Sequence, residues 1–289
     1  MVSGKKIKKE DILRFLNHNF KNKERLELLD FIFVLDSYEL LGMKVPNKKQ
    51  VIKYLNGLQS DEGTWETGNP HYVPTTAQVL MFYNRAGVKP AKSSKPFFST
   101  IDAWKKVNEH CQKYDFGNYW GGLWGYITCY IMEGRKPPWI KEFLKEVNKK
   151  FDVWAYQNHQ RCHLIGNLFQ LGESVPKIDR VVKIILQQQK KDGSWKDESW
   201  NKALPQTFFA ISTLRLVKDQ TSKKVTPAIN KGLGFIEKCY TIIRYKGKNY
   251  GGFTTTPSEI CLKPLETAMG IAALLNPELY FRWSMREYL

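Results

Sequence analysis

Several side chains able to do chemistry stand directly before apolar segments of the chain or in their first turn. Glu266, His163 and His71 are the candidates for a general acid or base, because carboxyl and imidazole groups exchange protons near neutral pH when their surroundings are tuned. The candidate substrate-binding residues are Arg161, Lys263, Tyr72, Trp120, Trp124, His159 and Gln206. Cations of this kind bind diphosphate groups, and aromatic rings line apolar cavities.

Each of these residues also has a purely structural interpretation. A carboxylate such as Glu266 stabilises the first turn of any helix through the helix dipole. Trp120 and Trp124, four residues apart, fit one buried face of a helix. Single histidines at helix starts are usually caps or surface residues. Residue type alone leaves both interpretations open, so the elements that position these side chains have to be considered.

An internal repeat is the clearest feature of the sequence. "LQSDEGTW", residues 58–65, and "QQKKDGSW", residues 188–195, have glutamine, glycine and tryptophan at the same spacing. A shift of 130 residues also pairs Gly42, Val45, Pro46, Val51 and Lys53 with Gly172, Val175, Pro176, Val181 and Lys183. We predict one local structure for both copies: a helix end, a turn, a second helix and a loop that ends in a buried tryptophan.

Weaker copies extend the repeat to six units. Their apolar segments are "LLDFIFVLDSYELLG", "TAQVLMFYNRAG", "WGYITCYIMEG", "CHLIGNLFQLG", "TFFAISTLRLV" and "TAMGIAALLNP". These segments are apolar on nearly every side and are expected to be enclosed, whereas following helices such as "KKQVIKYLNGLQ" have one apolar stripe and face water. The pattern predicts an all-α fold, an α/α toroid of six helical hairpins, with about twelve helices in two concentric rings and an extra N-terminal helix.

The alternative architecture is an open solenoid, in which "EDILRFLNHNF" is a capping helix. We expect a single toroid domain over residues 1–289, in which residues 1–22 form a basic N-terminal segment and helix. In a closed toroid the inner helices run parallel, so that their N-terminal ends, each equivalent to about half a positive charge, meet at one mouth of the central cavity. The candidate residues all lie at these ends, which favours an anion such as diphosphate there.

Composition narrows the class of protein. The net charge of +17 favours anionic partners, although a lysine-rich surface also serves solubility. Five cysteines without a C-x-x-C pair indicate a reduced protein and give no zinc-ligand spacing. The charged N-terminus and the lack of an apolar run of about 18 residues predict a cytoplasmic location, with peripheral membrane contact left open. We predict no cofactor and no bound metal.

The spacing Gln-x-x-x-Gly-x-Trp after an amphipathic helix resembles the QW motif of triterpene and diterpene cyclases. "YGGFTTTPSEICLKPLETAMGIAAL" is similar to the GGF segment of those cyclases and of protein prenyltransferase β subunits. The chain is therefore identified as a divergent member of the terpenoid cyclase/protein prenyltransferase superfamily, with a toroid like that of squalene-hopene cyclase. The resemblance implies a central hydrophobic cavity that handles isoprenoids, and it leaves a partner subunit open.

The superfamily's reactive residues are largely absent. Where class II cyclases have a D-x-D-D run, Leu265 replaces the protonating aspartate and only Glu266 is acidic. Where prenyltransferases have the zinc ligands Asp-x-Cys, Glu266 is followed two positions later by Ala268, and no histidine follows His163. "RCH" resembles the Cys-His zinc ligands of lanthionine cyclases, but the rest of that pattern is missing. Neither established chemistry can therefore be carried over unchanged.

Three classes of function stay open. An isoprenoid enzyme with altered chemistry, acting on a prenyl diphosphate or a polyprenyl chain, is favoured. A protein that binds isoprenoid or lipid diphosphate without turnover would also explain the missing acid and zinc ligands. A carbohydrate-active toroid would use the aromatic residues, 13% of the chain, to stack on sugars, but it requires two convergent carboxylates. Nucleic acid is disfavoured as the anionic partner.

Overall fold

The computed structural model describes residues 7–65, 72–102, 126–130, 132, 134–149, 161–162, 165–166, 168–169, 171–175, 177–195 and 202–275. The chain divides into two compact units, which are described separately. Unit 1 consists of Met1–Val45 and Lys177–Arg286, and unit 2 of Pro46–Pro176 with Glu287–Leu289.

The described secondary structure is helical except for one β-hairpin. In chain order the elements are α1 (Lys9–Lys21), α2 (Leu28–Leu40), α3 (Lys48–Gly57), α4 (Tyr72–Ala86), α5 (Lys95–Ile101), α6 (Ile140–Lys149), α7 (Ile178–Gln187), α8 (Ala203–Leu216), α9 (Thr226–Lys238), β1 (Tyr240–Tyr245), β2 (Lys248–Phe253) and α10 (Pro264–Leu274). A 3₁₀ turn, Lys23–Arg25, separates α1 from α2.

Three helices of unit 1 are buried on nearly every side. Ten of the 13 residues of α2, eleven of the 14 of α8 and nine of the 11 of α10 are buried. α10 packs against both α2 and α8. A helix buries all its faces only when neighbours surround it, so these are the enclosed helices that the sequence predicts.

Helices with one apolar stripe cover this buried layer. α9 packs against α8 and α10, and α1 packs against α2 and β2. In α1 the buried apolar residues are Ile12, Phe15 and Leu16, which share one face because they are spaced by three and four residues. The alternation of enclosed and striped helices therefore holds within unit 1.

The β-hairpin is an addition to the all-α prediction. β1 and β2 pair antiparallel, with Tyr240 opposite Phe253 at the base and Tyr245 opposite Lys248 at the tip. Lys246 and the glycine after it have φ angles of 47° and 73°, as a tight two-residue turn requires. β2 packs on both α1 and α10. The hairpin thus joins the N-terminal helix to the last enclosed helix.

The two copies of the internal repeat have the same local structure. α3 and α7 start 130 residues apart and end 130 residues apart. Each follows a residue in the left-handed backbone region, Asn47 with φ 47° and Lys177 with φ 51°. Gly63 and Gly193 have φ angles of 80° and 100°. A Cβ atom would collide with the carbonyl oxygen of Ser93 in the first case and of Lys231 in the second. Only glycine fits these two positions.

The repeated glutamine fixes its own loop and a neighbouring one. Gln59 Nε2 donates to Gly63 O at 3.1 Å and to Lys92 O at 2.9 Å. Gln189 Nε2 forms the same pair of bonds, to the corresponding glycine at 3.1 Å and to Ala228 O at 2.9 Å. Each glutamine therefore ties its own loop to a second segment of the chain, the loop at Lys92 for Gln59 and the first turn of α9 for Gln189.

The repeated tryptophans are core residues. Trp65 is 0% and Trp195 is 1% exposed, which confirms that both are buried. Their indole Nε1 groups donate to Leu55 O at 2.8 Å and to Ile185 O at 2.6 Å. The ring of each tryptophan is thereby tied to the helix that precedes it, α3 or α7, which indicates a structural role for this residue of the repeat.

Within the described residues, no helix combines the length and the apolar character needed to cross a membrane.

Candidate active site

The N-terminal ends of α2, α8 and α10 meet in unit 1. The N–H group of Leu204, in the first turn of α8, donates to the carbonyl oxygen of Thr255 at 3.0 Å. The Thr255 hydroxyl donates to Glu266, in the first turn of α10. Asp30, in the first turn of α2, interacts electrostatically with Glu266 and Lys263. Because α10 also packs against α2 and against α8, helices whose N-terminal ends lie together run parallel, as the sequence predicts for enclosed helices.

We call the polar group at these helix ends the N-terminal cluster. Its members are Asp30, Lys202, Thr255, Glu259, Lys263 and Glu266. The cluster combines carboxyl groups, ammonium groups and one hydroxyl, which are the group types that exchange and hold protons.

Glu266 is fixed at the third position of α10. Pro264 opens the helix, because its fixed φ and missing N–H suit a first turn. The next residue, Thr267, is held by the N–H of Phe253, which donates to its hydroxyl at 3.1 Å. Glu266 is only 1% exposed, and its Oε1 accepts the Thr255 hydroxyl at 2.8 Å. The carboxyl group is therefore enclosed, and its direction is set.

Lys263 is engaged within the cluster. Its Nζ donates to Thr255 Oγ1 at 3.3 Å and lies 3.7 Å from Glu259 Oε2. Both charged side chains of this ion pair are more than one third exposed, so solvent screens the pair. The Lys263 charge is thus shared between Glu259 and the hydroxyl beside Glu266.

Asp30 has a perturbed proton affinity. Burial raises the pKa of the Asp30 carboxyl above its usual range, and the negative charges of Glu27 and Glu266 raise it further. The positive charges of Lys202 and Lys263 act in the opposite direction. Asp30 consequently keeps its proton to a higher pH than an ordinary aspartate. A carboxyl group with a raised pKa beside a second, buried carboxyl group is a common arrangement for acid–base chemistry.

Among the described residues of the N-terminal cluster, carboxyl groups outnumber ammonium groups. The carboxyl groups belong to Asp30, Glu259 and Glu266, and the ammonium groups to Lys202 and Lys263. A diphosphate bound by Lys263 would have to displace its contact with Glu259 and would approach the carboxyl group of Glu266. The cluster is therefore better suited to a neutral group than to a multiply charged anion.

The other predicted site residues are distributed as follows. Gln206, in the first turn of α8, is 0% exposed. Arg161 belongs to unit 2 and is also 0% exposed. Tyr72 is the first residue of α4. The remaining predicted residues, His71, Trp120, Trp124, His159 and His163, lie outside the described residues. Of the predicted set, the structure brings Glu266 and Lys263 together within unit 1.

Asp30, Thr255 and Glu259 were missed by the sequence analysis. A signal for Asp30 exists, because "ELLD" and "KPLE" both place an acidic residue third in an enclosed helix, at positions 30 and 266. Thr255 is the middle residue of "TTT", and nothing in that triplet distinguishes it from its neighbours. Its role depends on contacts with residues on two other elements.

A metal site would require several ligating side chains close together. Within the ranges that the structure describes, no three His, Cys, Asp or Glu side chains are grouped as ligands for a metal ion. The N-terminal cluster combines its carboxyl groups with lysines and a threonine hydroxyl.

Comparison with protein families supplies the remaining observation. Residues 9–276 match the model of the prenyltransferase alpha-alpha toroid domain. The chain belongs to this family. The predicted fold class, an α/α toroid domain, is thereby confirmed, and the parallel enclosed helices α2, α8 and α10 are part of this toroid. No curated protein and no solved structure matches the chain.

The raised pKa of Asp30 predicts a pH-dependent effect on stability. The folded toroid holds the Asp30 proton more tightly than the unfolded chain does, so ionisation of Asp30 destabilises the fold as pH rises through the folded pKa. An asparagine side chain has no proton to lose in this range. Asp30→Asn is therefore expected to raise the melting temperature at about pH 7 and to have a smaller effect near pH 4, where an ordinary aspartate is half protonated.

Asp179 provides a control of opposite sign. Hydrogen bonds from Thr221 and Ser222 hold the pKa of the Asp179 carboxyl below its usual range. Its ionised form is stabilising at neutral pH, and this contribution is lost as pH falls through the folded pKa. Asp179→Asn should therefore lower the melting temperature at about pH 7. Melting curves that move in the same direction for both variants would contradict the assignment of a raised pKa to Asp30.

Proposed function

We propose that this toroid processes an isoprenoid by acid–base chemistry, with Asp30 as the proton donor and Glu266 as its carboxyl partner. The observation that carries the proposal is the raised pKa of Asp30 beside the buried Glu266 at a shared end of parallel helices. Membership of the prenyltransferase alpha-alpha toroid family supports an isoprenoid as the substrate class. The low number of cations in the cluster favours a polyprenyl chain, or the apolar end of a prenyl diphosphate, at this point.

The proposed reaction begins with transfer of the Asp30 proton to a double bond or an epoxide oxygen of the isoprenoid. The proton donor becomes a carboxylate, and a carbocation forms on the substrate. A proton later leaves the cation for a base, so that product and substrate have the same composition. Asp30 is partly exposed and regains its proton from solvent. Burial, and after it the negative charges of Glu27 and Glu266, raise the pKa of Asp30 and so favour the protonated form before substrate binds.

The experiment is a product analysis of the purified protein. It is incubated separately with farnesyl diphosphate, geranylgeranyl diphosphate, squalene and epoxysqualene, and the extracts are analysed by gas chromatography and mass spectrometry. Proton-initiated chemistry is expected to give an isomer with the mass of its substrate. Release of inorganic diphosphate without an isomer would overturn the proposal in favour of ionisation at the diphosphate. Tight binding without any product would favour the isoprenoid-binding protein that lacks turnover.

One observation also fits the carbohydrate-active alternative. Glycoside hydrolysis uses two carboxyl groups, and Asp30 and Glu266 supply such a pair. The family match favours the isoprenoid. Release of reducing sugar from a panel of oligosaccharides, with no change in any isoprenoid, would reverse this preference. Cytoplasmic location, peripheral membrane contact and a partner subunit remain predictions from the sequence.

A further inference from the structure

Three consecutive threonines have three different hydroxyl partners. Thr254 Oγ1 donates to the backbone, with Cys239 O at 3.1 Å and Thr256 O at 2.7 Å. Thr256 Oγ1 lies 3.2 Å from Ser258 Oγ on the surface. Thr255 Oγ1 alone contacts the side chain of a proposed functional residue, Glu266. The triplet therefore contains one structural hydroxyl, one surface hydroxyl and one hydroxyl that faces the N-terminal cluster.

We infer that Thr255 is a positioning residue whose hydroxyl relays the positive charge of Lys263 to the carboxyl group of Glu266. The role of Thr255 in turnover rests on the proposed function. The relay itself requires no substrate and can be tested in the protein alone. Neither the family match nor the sequence pattern assigns any role to this residue.

The direction of the relay follows from the donors and acceptors. An ammonium group only donates, so the contact at 3.3 Å uses Thr255 Oγ1 as the acceptor of a proton from Lys263 Nζ. The single hydroxyl proton then points to Glu266 Oε1 at 2.8 Å. A donor that itself accepts from a cation is polarised and becomes a stronger donor. The positive charge of Lys263 therefore reaches Glu266 through the hydroxyl.

The backbone of Thr255 is fixed on both sides of this side chain. Its carbonyl oxygen accepts the N–H of Leu204 at 3.0 Å, and its own N–H donates to Glu259 Oε2 at 3.3 Å. Thr255 is only 1% exposed. The hydroxyl is thus held between α8 and α10 and has no room to reorient toward water.

The charged groups around the pair determine what loss of the hydroxyl would do. Asp30 is faced by Glu27 on its own helix, by Lys202 at the start of α8, and by Lys263 and Glu266 at the start of α10. Without the Thr255 hydroxyl, the negative charge on Glu266 loses a hydrogen-bond donor. Such a hydrogen bond favours the charged form of a carboxyl group, and the negative charge of Glu266 raises the pKa of Asp30 together with burial and the charge of Glu27. The proton on Asp30 is consequently held less tightly.

The test replaces each threonine of the triplet with valine, which keeps the shape and removes the hydroxyl. In the protein alone, the titration of the Asp30 carboxyl carbon is followed by NMR. Thr255→Val is expected to lower the pKa of Asp30, and Thr255→Ser, which keeps the hydroxyl, to leave it as in the parent protein. Thr254→Val is expected to lower the melting temperature without changing that titration, and Thr256→Val to change neither. With an active substrate, the basic limb of the pH–rate profile, where Asp30 loses the proton that it donates, should move to lower pH with the titration.

The outcomes separate the relay from the proposed function. An unchanged Asp30 titration in Thr255→Val, or an equal change in Thr254→Val, would overturn the relay even if the enzyme turns over isoprenoids. A shifted titration in a protein that shows no turnover would support the relay and contradict the proposed function. If Thr255→Val does not fold, Thr255→Cys replaces the hydroxyl with a thiol, which is a weaker donor, and should shift the titration in the same direction. No shift in that variant would overturn the relay.

Discussion

The substitution Asp30→Asn is expected to lower turnover of an isoprenoid about 10²- to 10⁴-fold, the usual contribution of a general acid. Asparagine has nearly the same shape as the protonated aspartate but cannot give a proton to an alkene or an epoxide. The loss should appear in kcat at saturating substrate, because the substitution leaves the apolar contacts of the substrate in place. The measurement is the initial rate of isomer formation, compared with the parent protein at equal concentration.

A matched control lies on the same helix. Glu39 is in the last turn of α2, at the opposite end from Asp30. Glu39→Gln also replaces a carboxyl group with an amide and should leave turnover unchanged. Since Asp30→Asn is expected to raise stability at neutral pH, a lower rate in this variant cannot be attributed to unfolding. Parent-like turnover in Asp30→Asn would exclude Asp30 as the proton donor and leave Glu266→Gln as the next variant to examine.

Alanine in place of Trp195 is expected to lower the free energy of unfolding by about 3 to 5 kcal/mol, the usual cost of removing a buried aromatic side chain. The indole is 1% exposed and donates to Ile185 O at 2.6 Å. A Cβ atom on Gly232 would lie 2.7 Å from the indole ring, which shows that α9 packs closely against it. The substitution leaves a cavity in the core, and it leaves the carbonyl group of Ile185 without its indole donor. Denaturant unfolding measures the loss.

Two further variants distinguish packing from hydrogen bonding. Trp195→Phe keeps most of the apolar area and loses the bond to Ile185, so its cost should be intermediate. Leu58→Ala changes a side chain that is 43% exposed and should shift stability by about 0.5 kcal/mol or less. A Trp195→Ala variant that unfolds at the denaturant concentration of the parent protein would show that the repeated tryptophan does not hold the toroid together.

The helical architecture could be predicted from the sequence, because the apolar pattern of each helix is contained in a short segment of the chain. Apolarity on every side predicts an enclosed helix and a single stripe predicts an outer one, and α2, α8 and α10 follow the first rule. The repeat predicted equivalent helices, and α3 and α7 have equivalent bounds. The β-hairpin was missed, since "RYKGKNY" has no Asn-Gly or Asp-Gly turn and its strands are short.

The site could be predicted only in part from the sequence, because it depends on contacts between residues that are far apart in the chain. Glu266 and Lys263 were predicted because one short segment contains both residues and also carries the family resemblance. Asp30 lies more than 200 residues before them in the chain, and its acid–base character arises from burial and from the charge of Glu266. No local pattern encodes either effect, because both depend on which helix becomes the neighbour of α10.

The sequence by itself determined the helices, their exposed and buried faces, and the parallel direction of the enclosed ones. Hydrophobic periodicity and turn residues act over a few residues, so they can be interpreted without a partner. The tertiary structure alone decided that α2 and α8 both lie against α10 and that Thr255 connects Lys263 to Glu266. Proton affinity and hydrogen-bond direction are properties of groups brought together by packing, and their residues are far apart in the chain.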